Sequence, residues 1–299
     1  MVTEAEQEVT VPGGKVWTRT VGDGPVALVL LHGGPGVPHD YLLSHDSLAE
    51  KRRLVYYDQL GCGLSERPDD PSLWNVERFV AELAAVRDAL GLDRVYLLGQ
   101  SWGGCLALAY MLEHPNEGVE GLILSSAPAS AAAYAEDARL LLKGLPSDAR
   151  AAVAAAERSG NFDSLAYKNA SKLYDRTYVC RLEPWPDLLL QAESGFGKQV
   201  FETMWGPSDF TVTGNFKDWD ASQRLTEISV PTLVLGGRYD TVRPERLTEI
   251  ARALPNGVSR LFESSAHMPV FEEPDAYFGV LSSFLDRTEA GSFDPRDAL

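Results

Sequence analysis

The chain has only three cysteines in 299 residues, Cys62, Cys105 and Cys180. They are scattered, odd in number and without metal-ligand spacing, which argues against a disulfide framework or a zinc site and suits a reducing cytoplasm. No apolar run approaches the ~20 residues that a membrane-spanning helix needs. The acidic start, Met1 to Glu8, has no apolar segment of the kind a secretory signal carries. Positive charge is also scarce: 27 Lys and Arg stand against 43 Asp and Glu, a net charge of −16. Nucleic acid and anionic membranes are therefore not expected as partners. The excess reads first as an acidic soluble surface and only second as a mild preference for a cationic substrate. There is no internal repeat and no low-complexity tract. What remains is ordinary: 44% apolar and 23% charged residues, enough for one large α/β domain or a domain with an insertion.

The stretch that organises the chain is Val95-Tyr-Leu-Leu-Gly-Gln-Ser-Trp-Gly-Gly104. A short buried strand stops at Gly99, and an Ala- and Leu-rich helical pattern follows Gly104. A serine with glycine two residues away on each side, between strand and helix, is the nucleophile-elbow pattern. The turn would hold Ser101 in a strained conformation and leave no room for side chains at positions 99 and 103.

Other strands follow the same logic. Residues 8–21 alternate around Pro12-Gly13-Gly14, predicting an antiparallel hairpin at a sheet edge. Val26–Leu31, Leu54–Tyr57, Gly121–Ser126 and Pro231–Gly237 read as strands, and the sheet is expected to resume again at Ser259–Glu263. A helix capped by Asn75 follows Tyr57, with Val76, Phe79, Val80, Leu83, Val86 and Leu90 at helical spacing and Gly91 as its stop. This βα rhythm predicts a mostly parallel sheet. It breaks between about Pro128 and Glu227, where the chain turns helical and then Trp-, Pro- and Gly-rich. We therefore expect a core of residues 1–128 and 228–299 with an inserted, mainly helical cap, 129–227. The cap should lie over the carboxyl edge of the sheet, where such folds bind ligands. A last helix opens at Glu273-Pro274, and the polar tail from Arg287 to Leu299 is expected to fray.

A serine hydroxyl needs a general base, and that base a carboxylate. Of five histidines, His114 precedes a proline at a helix end, His39 and His45 flank an expected surface helix, and His32 opens a glycine-rich loop. His267, just past the last strand, is the candidate base. Asp240 follows the preceding strand, whereas Asp218 and Asp220 precede it. The order Ser101, Asp240, His267 is that of the α/β-hydrolase triad. The oxyanion needs two backbone N–H donors, expected from Trp102 and from the His32–Gly36 loop, with Gly34 preferred and Gly33 the alternative.

Three motifs, His32-Gly-Gly-Pro-Gly36, Asp58-Gln-Leu-Gly-Cys-Gly-Leu-Ser65 and Gly99-Gln-Ser-Trp-Gly-Gly104, together resemble the proline iminopeptidase family of serine aminopeptidases. Met204-Trp-Gly-Pro-Ser-Asp-Phe210 is similar to a cap motif of that family. The resemblance implies a capped α/β-hydrolase that removes an N-terminal residue, often proline, from peptides, amides or arylamides, with no metal or cofactor. It implies that the 58–65 loop forms part of the active-site floor. It also implies acidic residues that hold the substrate's free α-ammonium by charge-assisted hydrogen bonds. Asp209 matches the acidic position of the cap motif; Glu193 is a second candidate and Glu202 a third. Some members carry an acid directly after the catalytic Asp, and here Thr241 stands there. Of Trp185, Trp205 and Trp219, at least two are expected to pack in the core. Alternatives on the same scaffold are an amino acid amide hydrolase, a hydrolase removing an aminoacyl group from a biosynthetic amine, an esterase, and a ligand-binding relative without turnover.

Overall fold

The computed structural model describes residues 3–115 and 117–297; the first two residues of the acidic start and the last two of the tail lie outside it. Eight strands form one sheet in the order β1-β2-β4-β3-β5-β6-β7-β8. β1 (Glu4–Val11) and β2 (Gly14–Val21) make the edge hairpin, and β2 runs antiparallel to β4 (Arg53–Tyr57). From β4 through β3 (Ala27–Leu31), β5 (Val95–Gln100), β6 (Val119–Ser125), β7 (Thr232–Gly237) and β8 (Gly257–Phe262) every pairing is parallel. β3, β5 and β7 are buried along their whole length, which is why they read as unbroken apolar runs rather than alternating ones.

Helices cover both faces. α1 (Val76–Ala89) starts where the Asn75 side chain accepts a hydrogen bond from the Arg78 amide at 2.9 Å, as its sequence predicts. α2 (Trp102–Glu113) begins directly after Ser101, earlier than the composition suggests, because the elbow itself leads into its first turn. Between β6 and β7 come five α-helices, two short 3₁₀ turns and no strand among the described residues. The α-helices are α3 (Ala131–Leu142), α4 (Ser147–Ser159), α5 (Leu165–Tyr178), α6 (Asp187–Ser194) and α7 (Lys198–Met204). α8 (Pro244–Ala253), the short α9 (Pro269–Glu272) and α10 (Pro274–Glu289) complete the core. No helix among the described residues is long and apolar enough to cross a membrane.

Two expectations fail. The tail does not leave the fold at Arg287: α10 continues to Glu289, and Phe293 packs edge-on against Phe284 at 5.4 Å. Arg52, itself buried, reaches α10 and pairs with Asp286 and with Glu289 at 3.0 Å, which anchors the last turn. His39 and His45 are not solvated. The 3₁₀ stretch His39–Glu50 sinks Tyr41, Leu42 and Leu48 into the core, and the histidines go with it. His45 accepts or donates at both nitrogens, to the Leu42 carbonyl at 3.0 Å and the Tyr277 hydroxyl at 3.2 Å, and burial lowers its pKa to about 4.

At the elbow, Ser101 has φ 55° and ψ −121°, a conformation an L-residue adopts only when its surroundings hold it there. A side chain at Gly99 would overlap the Gly103 carbonyl, and one at Gly103 would overlap the carbonyls of Leu31 and His32. Both obstacles are backbone and cannot rotate away. Gly103→Ala is therefore expected to cost more than ~3 kcal/mol of stability, at the severe end of point mutations, and denaturant melts would measure it.

Candidate active site

The His267 and Asp240 side chains meet at 2.6 Å between Nδ1 and Oδ1, both buried. The acid sits at the end of β7, where the Val242 amide donates to Oδ1 at 2.9 Å and the Gly237 amide to Oδ2 at 3.3 Å. Thr241, at the position where an acid was a possibility, lies inside this pair instead: its hydroxyl is 2.9 Å from His267 Nδ1 and 3.3 Å from Asp240 Oδ1. The His267 backbone amide donates to the Val179 carbonyl just past α5, so the inserted helices and the histidine are tied together. Burial pulls the His267 pKa down. Asp240, then Asp209 and Glu272, push it up and prevail, leaving it above the ordinary imidazole value.

Two backbone amides are free at the neighbouring turns. Among the described residues neither the Trp102 nor the Gly34 N–H has a protein acceptor. The Gly33 N–H is occupied: it donates to the Tyr41 hydroxyl at 2.7 Å, which in turn donates to Gln100 Oε1 at 2.9 Å. This fixes the glycine loop against the residue preceding the serine. Gly33 also lies close to Ser101, where an added Cβ would come 3.2 Å from the serine's own. Of the two loop glycines, Gly34 alone presents an unused donor.

The 58–65 loop holds this loop from below. Gln59 receives the Trp102 indole N–H on Oε1 at 2.8 Å and donates from Nε2 to the His32 carbonyl at 3.1 Å. His32 Nε2 accepts from the Gln59 amide at 2.9 Å while Nδ1 faces the Gly33 carbonyl at 3.1 Å, which defines a neutral ring; burial lowers its pKa to about 4. His32, Asp58 and Cys62 lie close enough to suggest a metal site. Their donor atoms are already used, however. Asp58 accepts from His39 and from the Leu64 amide, and the Cys62 thiol donates to the Gln59 carbonyl. This is a hydrogen-bonded knot that shapes the loop.

A cavity of about 410 Å³ opens between the inserted helices and the core, lined by Val37 and Met268 on the core side and by Asp175, Glu193 and Asp209 across from them. The 204–210 turn holds the Asp209 backbone in place: the Trp205 indole donates to the Asp209 carbonyl at 3.2 Å, and Phe210 packs between Tyr167 and Tyr174. Trp205 and Trp219 both stack on Phe216, whereas Trp185 lines the cavity. Burial raises the Asp209 pKa, with His267 pulling the other way; burial raises that of Asp175 well above the ordinary range, and Asp209 and Glu193 add to it. Glu193 is more exposed than either, and Glu202 faces solvent beside Lys198 at 3.5 Å, away from the cavity. Asp175 has no sequence signature; on α5 it is one acid among the polar positions of an amphipathic helix.

The chain matches the family model for the alpha/beta hydrolase fold over residues 26–274. It is 42% identical to the proline iminopeptidase of Heyndrickxia coagulans over 289 residues, 96% of this chain and 99% of that one. Among solved structures, the proline iminopeptidase of Mycobacterium smegmatis superposes with a TM-score of 0.87 at 30% identity, covering 96% of this chain and all of that one. VinJ superposes with a TM-score of 0.91 at 34% identity, covering 95% of this chain and 99% of its own. With the fold, the elbow and relatives of nearly equal length in agreement, the chain belongs to the proline iminopeptidase family of α/β-hydrolase-fold serine hydrolases.

Proposed function

We propose that the chain is a serine aminopeptidase that releases an N-terminal residue, proline included, from small peptides or amides through an acyl-enzyme. The observation that carries this reading is Asp209, a carboxylate with no protein partner, facing the cavity close enough to His267 for each to shift the other's ionisation. A peptide amine is the cation such a site lacks.

In this reading residues 129–227 are the cap and 1–128 with 228–299 the core. His267, held by Asp240, takes the proton from the Ser101 hydroxyl as its oxygen attacks the scissile carbonyl. The tetrahedral oxyanion accepts hydrogen bonds from the Trp102 and Gly34 amides, assisted by the positive end of α2. His267 then gives the proton to the departing amine, and a water activated the same way hydrolyses the ester. Asp209 holds the α-ammonium, which sets the distance from chain terminus to Ser101 and so limits cleavage to one residue. The three cysteines are all buried free thiols, in keeping with a cytoplasmic enzyme.

Two experiments test this. Prolyl arylamide should be hydrolysed and its N-acetyl form not; equal rates would point to a general amidase or esterase. The second is a pH profile. His267 must be neutral to act as base, and its raised pKa means that kcat/KM falls with acid above the ordinary imidazole value of ~6.5. Asp209→Asn removes a charge that favours the imidazolium, so the acid limb of kcat/KM should move to lower pH.

A further inference from the structure

The cavity bounded on the core side by Val37 and Met268 carries three carboxyl groups, Asp175, Glu193 and Asp209, and no Lys or Arg lines it. Among the described residues none of the three has a hydrogen-bonding or ionic partner on its side chain. The Tyr174 hydroxyl, fully buried near Asp209 and Asp175, is unpartnered as well. An N-terminal prolyl group brings a single positive charge to this set. Asp175 and Asp209 are part-buried and Glu193 is exposed; burial favours the neutral form of the first two, and a second cation beside the α-ammonium would stabilise the carboxylate it meets.

Asp175, Trp185 and Glu193 also wall a second chamber of about 390 Å³ on the outer side. The two spaces share these three residues as a neck. The outer chamber adds Lys172 and Arg176 against Glu183, with Arg176 3.7 Å from Glu183. The outer chamber thus has basic groups in its wall, whereas the ionisable groups lining the inner one are carboxyls alone. The Trp185 ring at the neck offers a face on which an ammonium or guanidinium can rest. Together the volumes exceed what a pyrrolidine ring fills.

We propose that this neck is a subsite for a second cation, the side-chain terminus of a basic N-terminal residue such as lysyl, ornithyl or arginyl. The α-ammonium sits at Asp209, and the side-chain cation sits between Asp175 and Glu193 against Trp185. This rests on the aminopeptidase reading above and names a substrate class for that same cavity. The chemistry at Ser101 is unchanged; only the group recognised on the acyl side is new.

The test compares kcat/KM for lysyl, Nε-acetyl-lysyl, norleucyl, prolyl and N-acetylprolyl arylamides, in wild type and in Glu193→Gln. Lysyl should exceed norleucyl by at least about tenfold, the effect of 1.4 kcal/mol. Acetylating the ε-nitrogen should abolish the advantage, and Glu193→Gln should bring the lysyl-to-norleucyl ratio close to one. The ratio is read within one protein, so a partly unfolded variant does not distort it. A lysyl rate no better than norleucyl, with prolyl cleavage still requiring its free amine, would overturn the subsite and leave the aminopeptidase standing. Equal cleavage of prolyl and N-acetylprolyl arylamides, or no cleavage of any, would overturn the underlying reading instead.

Discussion

Ser101→Ala is expected to lower kcat on an aminoacyl arylamide by about 10⁶-fold, the scale seen when a triad nucleophile is removed. The size follows from the role. In the proposed mechanism, loss of the hydroxyl leaves no acyl-enzyme, and His267 and Asp240 have nothing to activate but water held in the wrong place. The fold should survive, because the Ser101 side chain makes no hydrogen bond that caps α2. The strain at φ 55° is held by the backbone around Gly99 and Gly103 rather than by the hydroxyl. Steady-state kinetics with circular dichroism as a folding control measures both parts. A variant within tenfold of wild type would remove Ser101 from the reaction.

Asp240→Asn should lower kcat by about 10⁴-fold with the geometry nearly intact. The carboxylate accepts from His267 Nδ1 at 2.6 Å and from two backbone amides, Val242 and Gly237. An amide in its place can turn its NH₂ toward His267 and select the tautomer that cannot take the serine proton. Thr241 adds a complication. Its hydroxyl already lies within reach of both His267 Nδ1 and Asp240 Oδ1, so it can keep the ring in position after the charge is gone. The variant should therefore lose rate while retaining KM. A loss of less than about tenfold would mean that another carboxylate orients His267.

How much of this was legible in the sequence depends on how local each signal is. The buried strands were, because a parallel strand covered on both faces must be apolar throughout. The elbow at Ser101 and the pairing of Asp240 with His267 were legible because turn glycines and strand ends mark them. His39 and His45 were misread because a polar loop after a glycine turn looks solvated. Only the tertiary fold shows Asp58, and Trp17 at 4.2 Å, closing over His39, and Tyr277, 232 residues away, closing over His45. Asp175 was invisible for a related reason. An acid on the polar side of α5 reads as surface until α6 and the 204–210 turn bring Glu193 and Asp209 around the same cavity. Glu193 and Asp209 could be named only through the resemblance, and the structure separates them: Asp209 is near His267 and lines the inner cavity alone, whereas Glu193 lines both cavities.

In the proposed function Asp209 is the group that reads the substrate's free amine. The direct measurement is the ratio of kcat/KM for prolyl arylamide over N-acetylprolyl arylamide, in wild type and Asp209→Asn. Loss of a charge-assisted contact in a part-buried site should lower that ratio by about 10²-fold, almost entirely through the free-amine substrate. A ratio near one in wild type, or one that Asp209→Asn leaves untouched, would contradict the account.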